Sequence, residues 1–465
     1  MTGPTPRPGS VASFVPHRAD LTGLVRLAVP VAGVQVGMLL MGAVDTVMVG
    51  RVSPADLAAV ALGNLYFFGV AVFGMGVLFA LDPVISQAVG AGDDGGVARG
   101  VQRGLVMAAV LTVFASILLL PAGPVMTLLR QPPDVVPLAA GYALASIPGV
   151  FPFYGFVVLR QSLQAMGRVR PIVWTIVAAN LVNVALNWVL IFGNLGAPAM
   201  GAVGSSIGSS ISRWFMMLAL LWLGWPLLRA SVRPIRAGVL SPAPLTRLLR
   251  IGAPIGGQQA LEFGVFGAAG IIMGWMGTVA MASHQVALNL AALTFMIPVG
   301  VAQAAAVLVG QAVGREDPPG ARRAAGAGLV LGAGLMTLTA ALFLTAPEPL
   351  ARLYSTDAPV VALAATLLPV AGLFQIFDGL QVVSAGVLRG VGDTRIPMLM
   401  NLLGFWVVGL PVSAALAFTV DLGPPGVWWG LALGIGVVAV LLLTRVRARF
   451  GRDLRRLMID EDEQA

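Results

Sequence analysis

The chain has 465 residues, of which 58% are apolar and only 10% are charged. Soluble proteins carry about 25% charged residues, so the composition excludes an ordinary soluble fold and predicts a membrane protein with many spans. The absence of Cys excludes disulfides, thiol catalysis and cysteine-ligated metals. The net charge of +8 is interpreted as a topology signal and not as a nucleic-acid site.

The hydropathy pattern predicts an all-α integral membrane protein with twelve transmembrane helices, each of about 20 apolar residues. The predicted spans are 23–49, 57–80, 101–123, 137–160, 171–193, 201–227, 247–275, 280–303, 324–346, 359–388, 397–419 and 424–446. Residues 1–20 and 451–465 are predicted to be cytoplasmic tails.

The distribution of Arg supports this topology. With the N-terminus inside, 24 Arg fall on the cytoplasmic side, Arg160 among them, and Arg213 alone lies within a span. The outer side has three, namely Arg51, Arg130 and Arg352. Because cytoplasmic loops are enriched in Arg and Lys, this bias predicts a bacterial cytoplasmic (inner) membrane protein with both termini in the cytoplasm.

The sequence also repeats itself at an offset of about 224 residues. Three motifs recur: AVPVAG (28–33) as GAPIGG (252–257), QAVGAGD (87–93) as QAVGRED (311–317), and SLQAMGRVRP (162–171) as VLRGVGDTRIP (387–397). The repeat predicts two six-helix lobes at 21–235 and 236–450. Because six is an even number, both lobes enter the membrane in the same direction, so the pseudo-twofold axis runs along the membrane normal. Transporters commonly place their sites near the midplane of such repeats.

Four acidic residues lie in or near apolar spans: Asp45, Asp82, Glu262 and Asp378. Asp82 precedes Pro83 near a predicted span end and is interpreted as a helix cap or loop anchor. A charge at the centre of a membrane helix costs about 2.5–3.5 kcal/mol. The other three acids therefore indicate a cavity, an ion site or a proton site.

Polar side chains accompany these acids at helical spacing. Gln258 lies one turn before Glu262, and Phe374, Gln375 and Gln381 flank Asp378. A further polar pair and an Asn stripe occupy other spans: Gln285 with Asn289, beside His284, and Asn180 with Asn183 and Asn187. Each could instead be an interhelical hydrogen bond of about 0.6 kcal/mol. His284 could be only a capped histidine, and Arg213 could pair with a carboxylate or snorkel.

Three stretches resemble the multidrug and toxic compound extrusion (MATE) family. AVDTVMVGRVSPADLAAVALGN is similar to the family's first-to-second helix signature. The stretch from APIGGQQALEFGVFG to VLVGQAVG, and LFQIFDGLQVVSAGVLRGVGDTRIPMLMN, look like the NorM branch. The likeness is collinear over roughly residues 20 to 445. It implies two six-helix lobes around a central cleft, and outward antiport of organic cations against protons or sodium.

The resemblance also implies roles for particular positions. Glu262 and Asp378 match the acids implicated in cation coupling and drug binding, including a possible sodium site, and Asp45 matches the first-helix acid. Asn183 matches an asparagine that accompanies Asp45. Asn187 stands where some branches have a second aspartate, which puts a paired-acid site in doubt. Phe374 stands where some relatives have tyrosine, which weakens a sodium site and favours protons slightly.

These observations lead to a set of expectations. The cation-coupling residues are Glu262, Asp378 and Asp45, and the first lobe has a polar site of Asp45, Asn180, Asn183 and Asn187. Substrate binding is expected at Asp378, Glu262, Phe374, Gln258, Gln285, Asn289, Gln375 and Gln381. Expected partners are small organic cations and the lipid bilayer, with no nucleic acid, no cofactor beyond the coupling proton or sodium, and a functional monomer.

An enzyme is not expected, because the sequence has two His, no HExxH, no nucleophile elbow and no P-loop. The alternative is a lipid or lipid-linked-precursor flippase of the same superfamily, and a channel is a third option. Three acids at depth against one Arg favour a cationic cargo. Isolated carboxylates within a repeat suit alternating access better than a channel.

Overall fold

The computed structural model describes residues 11–460, which form helices and connecting turns without a β-strand. Twelve long helices follow one another in sequence. They are α1 Arg18–Val49, α2 Pro54–Gly90, α3 Asp94–Leu119, α4 Val136–Ala165, α5 Arg170–Phe192, α6 Gly201–Val232, α7 Pro242–Trp275, α8 Thr278–Gly314, α9 Pro318–Thr345, α10 Ala358–Gly390, α11 Arg395–Thr419 and α12 Pro424–Phe450. Short helices Ala122–Leu128 and Pro347–Arg352 follow α3 and α9. The outer parts of both predicted tails, 1–10 and 461–465, lie outside the described residues.

Eleven of these helices are long and apolar enough to cross a membrane. The twelfth, α7, has 34 residues, about 50 Å at 1.5 Å per residue, which exceeds a hydrocarbon core of about 30 Å. Its apolar run is interrupted by Gln258, Gln259 and Glu262, so the polar candidate residues themselves lower its hydropathy. The predicted number of twelve transmembrane helices is confirmed.

Helix α2 runs further than its predicted span. It continues beyond residue 80 to Gly90, through an interruption at Phe79–Ala80. Asp82 therefore lies inside the helix, in the first turn of the segment Leu81–Gly90, and its side chain is fully buried. The prediction that Asp82 lies near a span end is wrong. A carboxylate in a helical first turn is stabilised by the helix dipole.

The chain forms two compact units. The N-half unit contains Gly33–Gly256 with residues 459–460, and the C-half unit contains residues 11–32 with Gly257–Met458. Helices α1 and α7 each change unit two residues after a proline, Pro30 or Pro254. Proline removes a backbone hydrogen bond and kinks a helix, which accounts for the repeated AVPVAG motif. The lobe limits at 21–235 and 236–450 stay a prediction.

The QAVGAGD motif forms the same turn in both units. Asp93 caps α3 by accepting a hydrogen bond from Gly96 N at 2.7 Å, and Asp317 caps α9 by accepting one from Gly320 N at 2.9 Å. The residue before each cap has a left-handed backbone, with φ of 69° at Gly92 and 56° at Glu316. Glycine adopts this conformation without strain, and only the first copy has glycine here.

Helix α10 lies at the centre of the C-half unit. It has glycine, which has no side chain, where the backbones of neighbouring helices approach. A Cβ added at Gly386 or Gly390 would lie 2.5 or 2.7 Å from a carbonyl oxygen of α8, that of Ala302 or Ala306. Small residues permit such close helix contacts in membranes. Asp378 lies on the same helix and is buried.

The C-terminal segment after α12 ends on the N-half unit. Asp460 forms ion pairs with Arg99 (Nε to Oδ2, 2.6 Å) and Arg103 (Nη2 to Oδ1, 2.5 Å), both on α3. Arg247 Nη1 donates a hydrogen bond to the carbonyl oxygen of Ile459 at 2.9 Å. One end of the N-half unit therefore holds the last described residues through three arginines.

Candidate functional site

Two acids of the C-half unit come together, Glu262 from α7 and Asp378 from α10. They are close enough to interact electrostatically. Asp378 is 5% exposed, and its Oδ1 accepts no hydrogen bond from any described residue. Within residues 11–460, neither carboxylate forms an ion pair. The sequence thus predicted both acids, and the structure brings them into one site without a basic partner.

Aromatic rings lie one helical turn from each acid. Phe266 follows Glu262 and Phe374 precedes Asp378, and their ring centroids are 6.1 Å apart in an edge-to-face arrangement. Phe374 also contacts Trp428 of α12 at 5.9 Å. Edge-to-face pairs of this kind stabilise packing beyond simple area burial. The rings therefore fix the two acid-bearing helices relative to each other.

Helix α11 supports the same site through wide π-helical turns at Leu402–Gly409. Trp406 Nε1 donates a hydrogen bond to the carbonyl oxygen of Leu261 at 3.0 Å, one residue before Glu262. Phe405 is fully buried and packs on Phe266 at 6.5 Å. Because π-turns commonly mark functional sites, α11 is a positioning element that the sequence did not reveal.

The two glutamines beside Asp378, Gln375 and Gln381, form hydrogen bonds with different helices. Gln375 Nε2 donates to Thr294 Oγ1 at 2.7 Å and so joins α10 to α8. Gln381 Nε2 donates to Asn401 Oδ1 at 3.4 Å. The Oε1 atoms of both glutamines are buried without a partner among residues 11–460. Buried polar atoms of this kind usually bind water or a ligand.

Gln285 and Asn289 lie on an exposed face of α8 and hydrogen-bond to each other at 3.3 Å. Gln258 is half-buried on α7. His284 is buried instead, packs on Trp428 at 5.6 Å, and neither ring nitrogen has a partner among the described residues. The interpretation of His284 as a capped histidine is wrong.

The N-half unit surrounds Asp45 with hydrogen-bond donors. Asn187 Nδ2 of α5 donates to Oδ1 at 2.5 Å, and Ser209 Oγ of α6 donates to Oδ2 at 2.7 Å. Asn187 Nδ2 also lies 3.3 Å from Asn183 Oδ1. All these side chains are buried. Ser209 was missed by sequence reasoning, although the serine-rich run SSIGSSIS of α6 was a signal for it.

Asn180 does not join this site. Its Nδ2 donates to the carbonyl oxygens of Gly37 at 3.0 Å and Ile176 at 2.9 Å. The asparagine stripe therefore splits into two residues near Asp45 and one that joins α5 to α1. For Asn180 the structure favours the alternative of an interhelical hydrogen bond.

Arg213 lies near Asp45 and interacts electrostatically with it and with Tyr142. Its guanidinium carbon lies 4.0 Å from the ring centroid of Phe67 and 5.7 Å from that of Phe153. Its Nη1 is buried and has no hydrogen-bond partner within residues 11–460. Within residues 11–460, Arg213 forms no ion pair with a carboxylate, and its guanidinium lies against the rings of Phe67 and Phe153.

Arg160 of this unit is buried as well. Arg160 was predicted at the cytoplasmic end of a span, but it lies within α4 and is 1% exposed. Its Nη1 donates to Gln35 Oε1 at 2.6 Å. Arg160 is therefore packed inside the N-half unit, although it lies near the end of α4.

Comparison with known proteins identifies the family. The MatE family model matches residues 30–189 and 254–415, so it matches once in each copy of the repeat. The chain belongs to the MATE family. It is 38% identical to the probable multidrug resistance protein NorM of Bradyrhizobium diazoefficiens over 439 residues, which are 93% of this chain and 94% of that protein. It is 36% identical to the multidrug resistance protein PmpM of Pseudomonas aeruginosa over 462 residues, 96% of each. The NorM-like resemblance is thus confirmed.

Solved MATE structures have the same fold. The eukaryotic MATE transporter AtDTX14 superposes with a TM-score of 0.86 at 24% identity, over 93% of this chain and 98% of that chain. The Vibrio cholerae MATE transporter VcmN superposes with a TM-score of 0.84 at 17% identity, over 94% and 98%. The predicted all-α fold of two six-helix lobes is confirmed.

Proposed function

We propose that this chain is a secondary active antiporter that exports organic cations, as multidrug efflux, in exchange for protons or sodium by alternating access. Relatives that bear the names NorM and PmpM are multidrug resistance proteins, which supports this cargo. The observation that carries the proposal is the meeting of Glu262 and Asp378 in the C-half unit without a basic partner.

The physical reason is the cost of an unpaired buried charge. A carboxylate removed from water must bind a proton, a metal cation or an organic cation. Two neighbouring carboxylates repel each other when both are ionised, so a cation between them is bound more tightly. Aromatic rings near the site, such as Phe374, suit an organic cation. Ion and drug then compete for the same negative charge.

The proposed roles follow from this competition. Glu262, Asp378 and Asp45 are the cation-coupling residues, and Glu262 and Asp378 also attract the drug. Gln258, Phe374, Gln375 and Gln381, with the exposed pair Gln285 and Asn289, contribute to substrate binding. Sodium at Glu262 and Asp378 would lack a hydroxyl ligand at Phe374, which favours protons. The chain acts as a monomer in the bacterial cytoplasmic membrane, with both termini in the cytoplasm, and it is a transporter and not an enzyme.

The test is transport of a fluorescent cationic dye by inside-out vesicles under separate proton and sodium gradients. We expect one gradient to drive dye movement and Asp378→Asn to abolish it. The matched control is Asp421→Asn, because Asp421 is an exposed acid whose left-handed backbone (φ 60°) tolerates Asn. Dye movement that is unaffected by either gradient would refute the proposal.

The same vesicles separate the flippase alternative. A lipid or lipid-linked-precursor flippase would leave the dye in place and move a labelled lipid between leaflets. We expect no lipid movement, since an anionic lipid head group would be repelled by the two acids of the C-half unit.

A further inference from the structure

The proposed function requires Glu262 and Asp378 to stay close to each other, and the inference here rests on that function. The two acids lie on different helices, α7 and α10, and they interact electrostatically. Two ionised carboxylates repel each other, so the charges themselves favour separation. The ring contact between Phe266 and Phe374 links the two helices on one side. A second link comes from α11.

Helix α11 forms a hydrogen bond with each of the two acid-bearing helices. Asn401 Oδ1 accepts one from Gln381 Nε2 of α10 at 3.4 Å, three residues after the acid of that helix. Trp406 Nε1 donates one to the carbonyl oxygen of Leu261 of α7 at 3.0 Å, one residue before the acid of that helix. One helix therefore connects the backbone beside one acid with a side chain beside the other.

The π-helical turns of α11 explain how it reaches both neighbours. In an α-helix of 3.6 residues per turn, side chains five residues apart point about 140° away from each other. In a π-helix the backbone hydrogen bonds join residues five apart, so such side chains come close to one face. The π-helical segment Leu402–Gly409 begins directly after Asn401 and contains Trp406. The unusual helix thus has a structural reason at this site.

Helix α7 has space for the indole ring of Trp406. A Cβ added at Gly264 would lie 3.0 Å from Cζ2 of that ring. Gly257 leaves space of the same kind for Met398 of α11, whose Sδ would lie 3.0 Å from an added Cβ. Residues seven apart complete about two helical turns, so both glycines lie on the face of α7 that meets α11. Glu262 lies between these two contacts along the helix.

We infer that Trp406 is a positioning residue, which holds the turn of α7 that carries Glu262 at its working distance from Asp378. The indole N–H anchors the backbone at Leu261, and the ring fills the space beside Gly264. A cation between two carboxylates is attracted by both only while they stay close, because the attraction falls with distance. When this turn is loosened, the repelling acids move apart and bind their shared cation less tightly.

The test is equilibrium binding of a fluorescent organic cation to the purified protein, at dye concentrations well below its dissociation constant, with displacement by protons or by sodium. Trp406→Phe keeps a ring beside Gly264 and removes only the indole donor. We expect about threefold or more of the displacing ion to be needed to halve dye binding, the effect of losing one hydrogen bond.

Gly264→Ala should shift the displacement in the same direction, because its added methyl group meets the ring of Trp406. The matched control on the same helix is Gly267→Ala, since an added Cβ there has no heavy atom within 4 Å. Trp429→Phe is the matched control for the ring substitution, because Trp429 is exposed on α12. Both controls should leave the displacing concentration unchanged.

A second background separates positioning from a purely structural role. In Glu262→Gln the carboxylate that Trp406 positions is absent, and Asp378 still binds the displacing ion. If Trp406 acts through Glu262, adding Trp406→Phe to this background should cause no further shift. A structural role would instead change the displacement equally in both backgrounds.

Melting temperatures show whether each variant folds, and Gly264→Ala takes the place of Trp406→Phe in both backgrounds if the latter does not. No shift in the natural background, or equal shifts in both backgrounds, would overturn the inference. Dye that neither ion displaces from the natural protein would instead refute the competition on which the antiporter rests, so the two failures are distinguishable.

Discussion

The two buried aspartates Asp45 and Asp378 have different surroundings. Asp45 has amide and hydroxyl donors within 2.5–2.7 Å, whereas Asp378 Oδ1 has no donor in the described chain. A donor stabilises the ionised form of a carboxylate, and burial without a donor destabilises it. The same substitution should therefore have different consequences at the two positions.

Asn187→Asp is predicted to make the N-half unit sensitive to pH. It would place a second carboxylate at the position that now lies 2.5 Å from Asp45 Oδ1, and two such groups must share a proton. We expect the melting temperature of the purified variant to fall as pH rises from 6 to 9, relative to the natural protein.

The matched control for this variant is the exchange Asp45→Asn with Asn187→Asp. It keeps one carboxylate and one amide in the pair, so the added pH dependence should disappear. A melting temperature for Asn187→Asp that follows that of the natural protein across this pH range would contradict the contact seen between the two side chains.

Asp460→Asn is predicted to loosen the C-terminal segment. Burial acts to raise the pKa of Asp460, but the hydrogen bond from Arg103 and the charges of Arg103 and Arg99 outweigh it, so the pKa lies below its ordinary value. A lowered folded pKa contributes stability above the unfolded value of about 3.9, and this contribution is lost as pH falls through the folded pKa.

The variant should therefore be less stable at pH 7, by about 1 kcal/mol or less because the pair is partly solvated. The difference should shrink below about pH 4. Thermal unfolding at both pH values measures it, with Asp453→Asn of the same segment as control. Equal melting temperatures at pH 7 would show that the ion pair is not stabilising.

At the scale of helices and turns, comparison of the two copies of the repeat identifies a strained residue. Glu316 has φ 56° where the first copy has Gly92 with φ 69°. Glu316→Gly should raise stability by about 1 kcal/mol, because the left-handed strain is removed. Glu316→Ala, which removes the charge and keeps the strained backbone, is the control and should give no gain. Thermal unfolding in detergent measures both, and a loss of stability in the Gly variant would contradict this account.

The twelve helices could be predicted because length and hydropathy are local properties of the sequence. The change of unit within α1 and α7 could not, because it depends on the packing that follows Pro30 and Pro254. The split of the asparagine stripe could not be predicted from the sequence either. Asn180, Asn183 and Asn187 have the same spacing as a functional face, and only the structure shows that Asn180 binds the backbone of α1.

At the scale of the molecule, the Arg bias predicts both termini in the cytoplasm. A fluorescent protein that folds only in the cytoplasm should therefore be bright when it is fused after residue 465. Alkaline phosphatase, which needs an oxidising compartment, should be inactive at the same position and active when fused after residue 130. The opposite result from both reporters would show that the topology is inverted.

The acids of the candidate site could be predicted from the sequence, but the residues that position them could not. A carboxylate in an apolar helix is visible in sequence because it is costly. Ser209 and Trp406 lie on other helices and meet the site only through the fold. Arg160 lies near the end of α4, but its contact with Gln35 could not be seen in the sequence. Long-range packing decides these contacts.

The central claim is that a cation and the drug compete for Glu262 and Asp378. The most direct measurement is equilibrium binding of a fluorescent organic cation to the purified protein across pH and sodium concentration. We predict that binding weakens as protons or sodium increase, and that this dependence disappears in the combined variant Glu262→Gln and Asp378→Asn. Binding of the dye to the natural protein that is unaffected by both ions would contradict the claim.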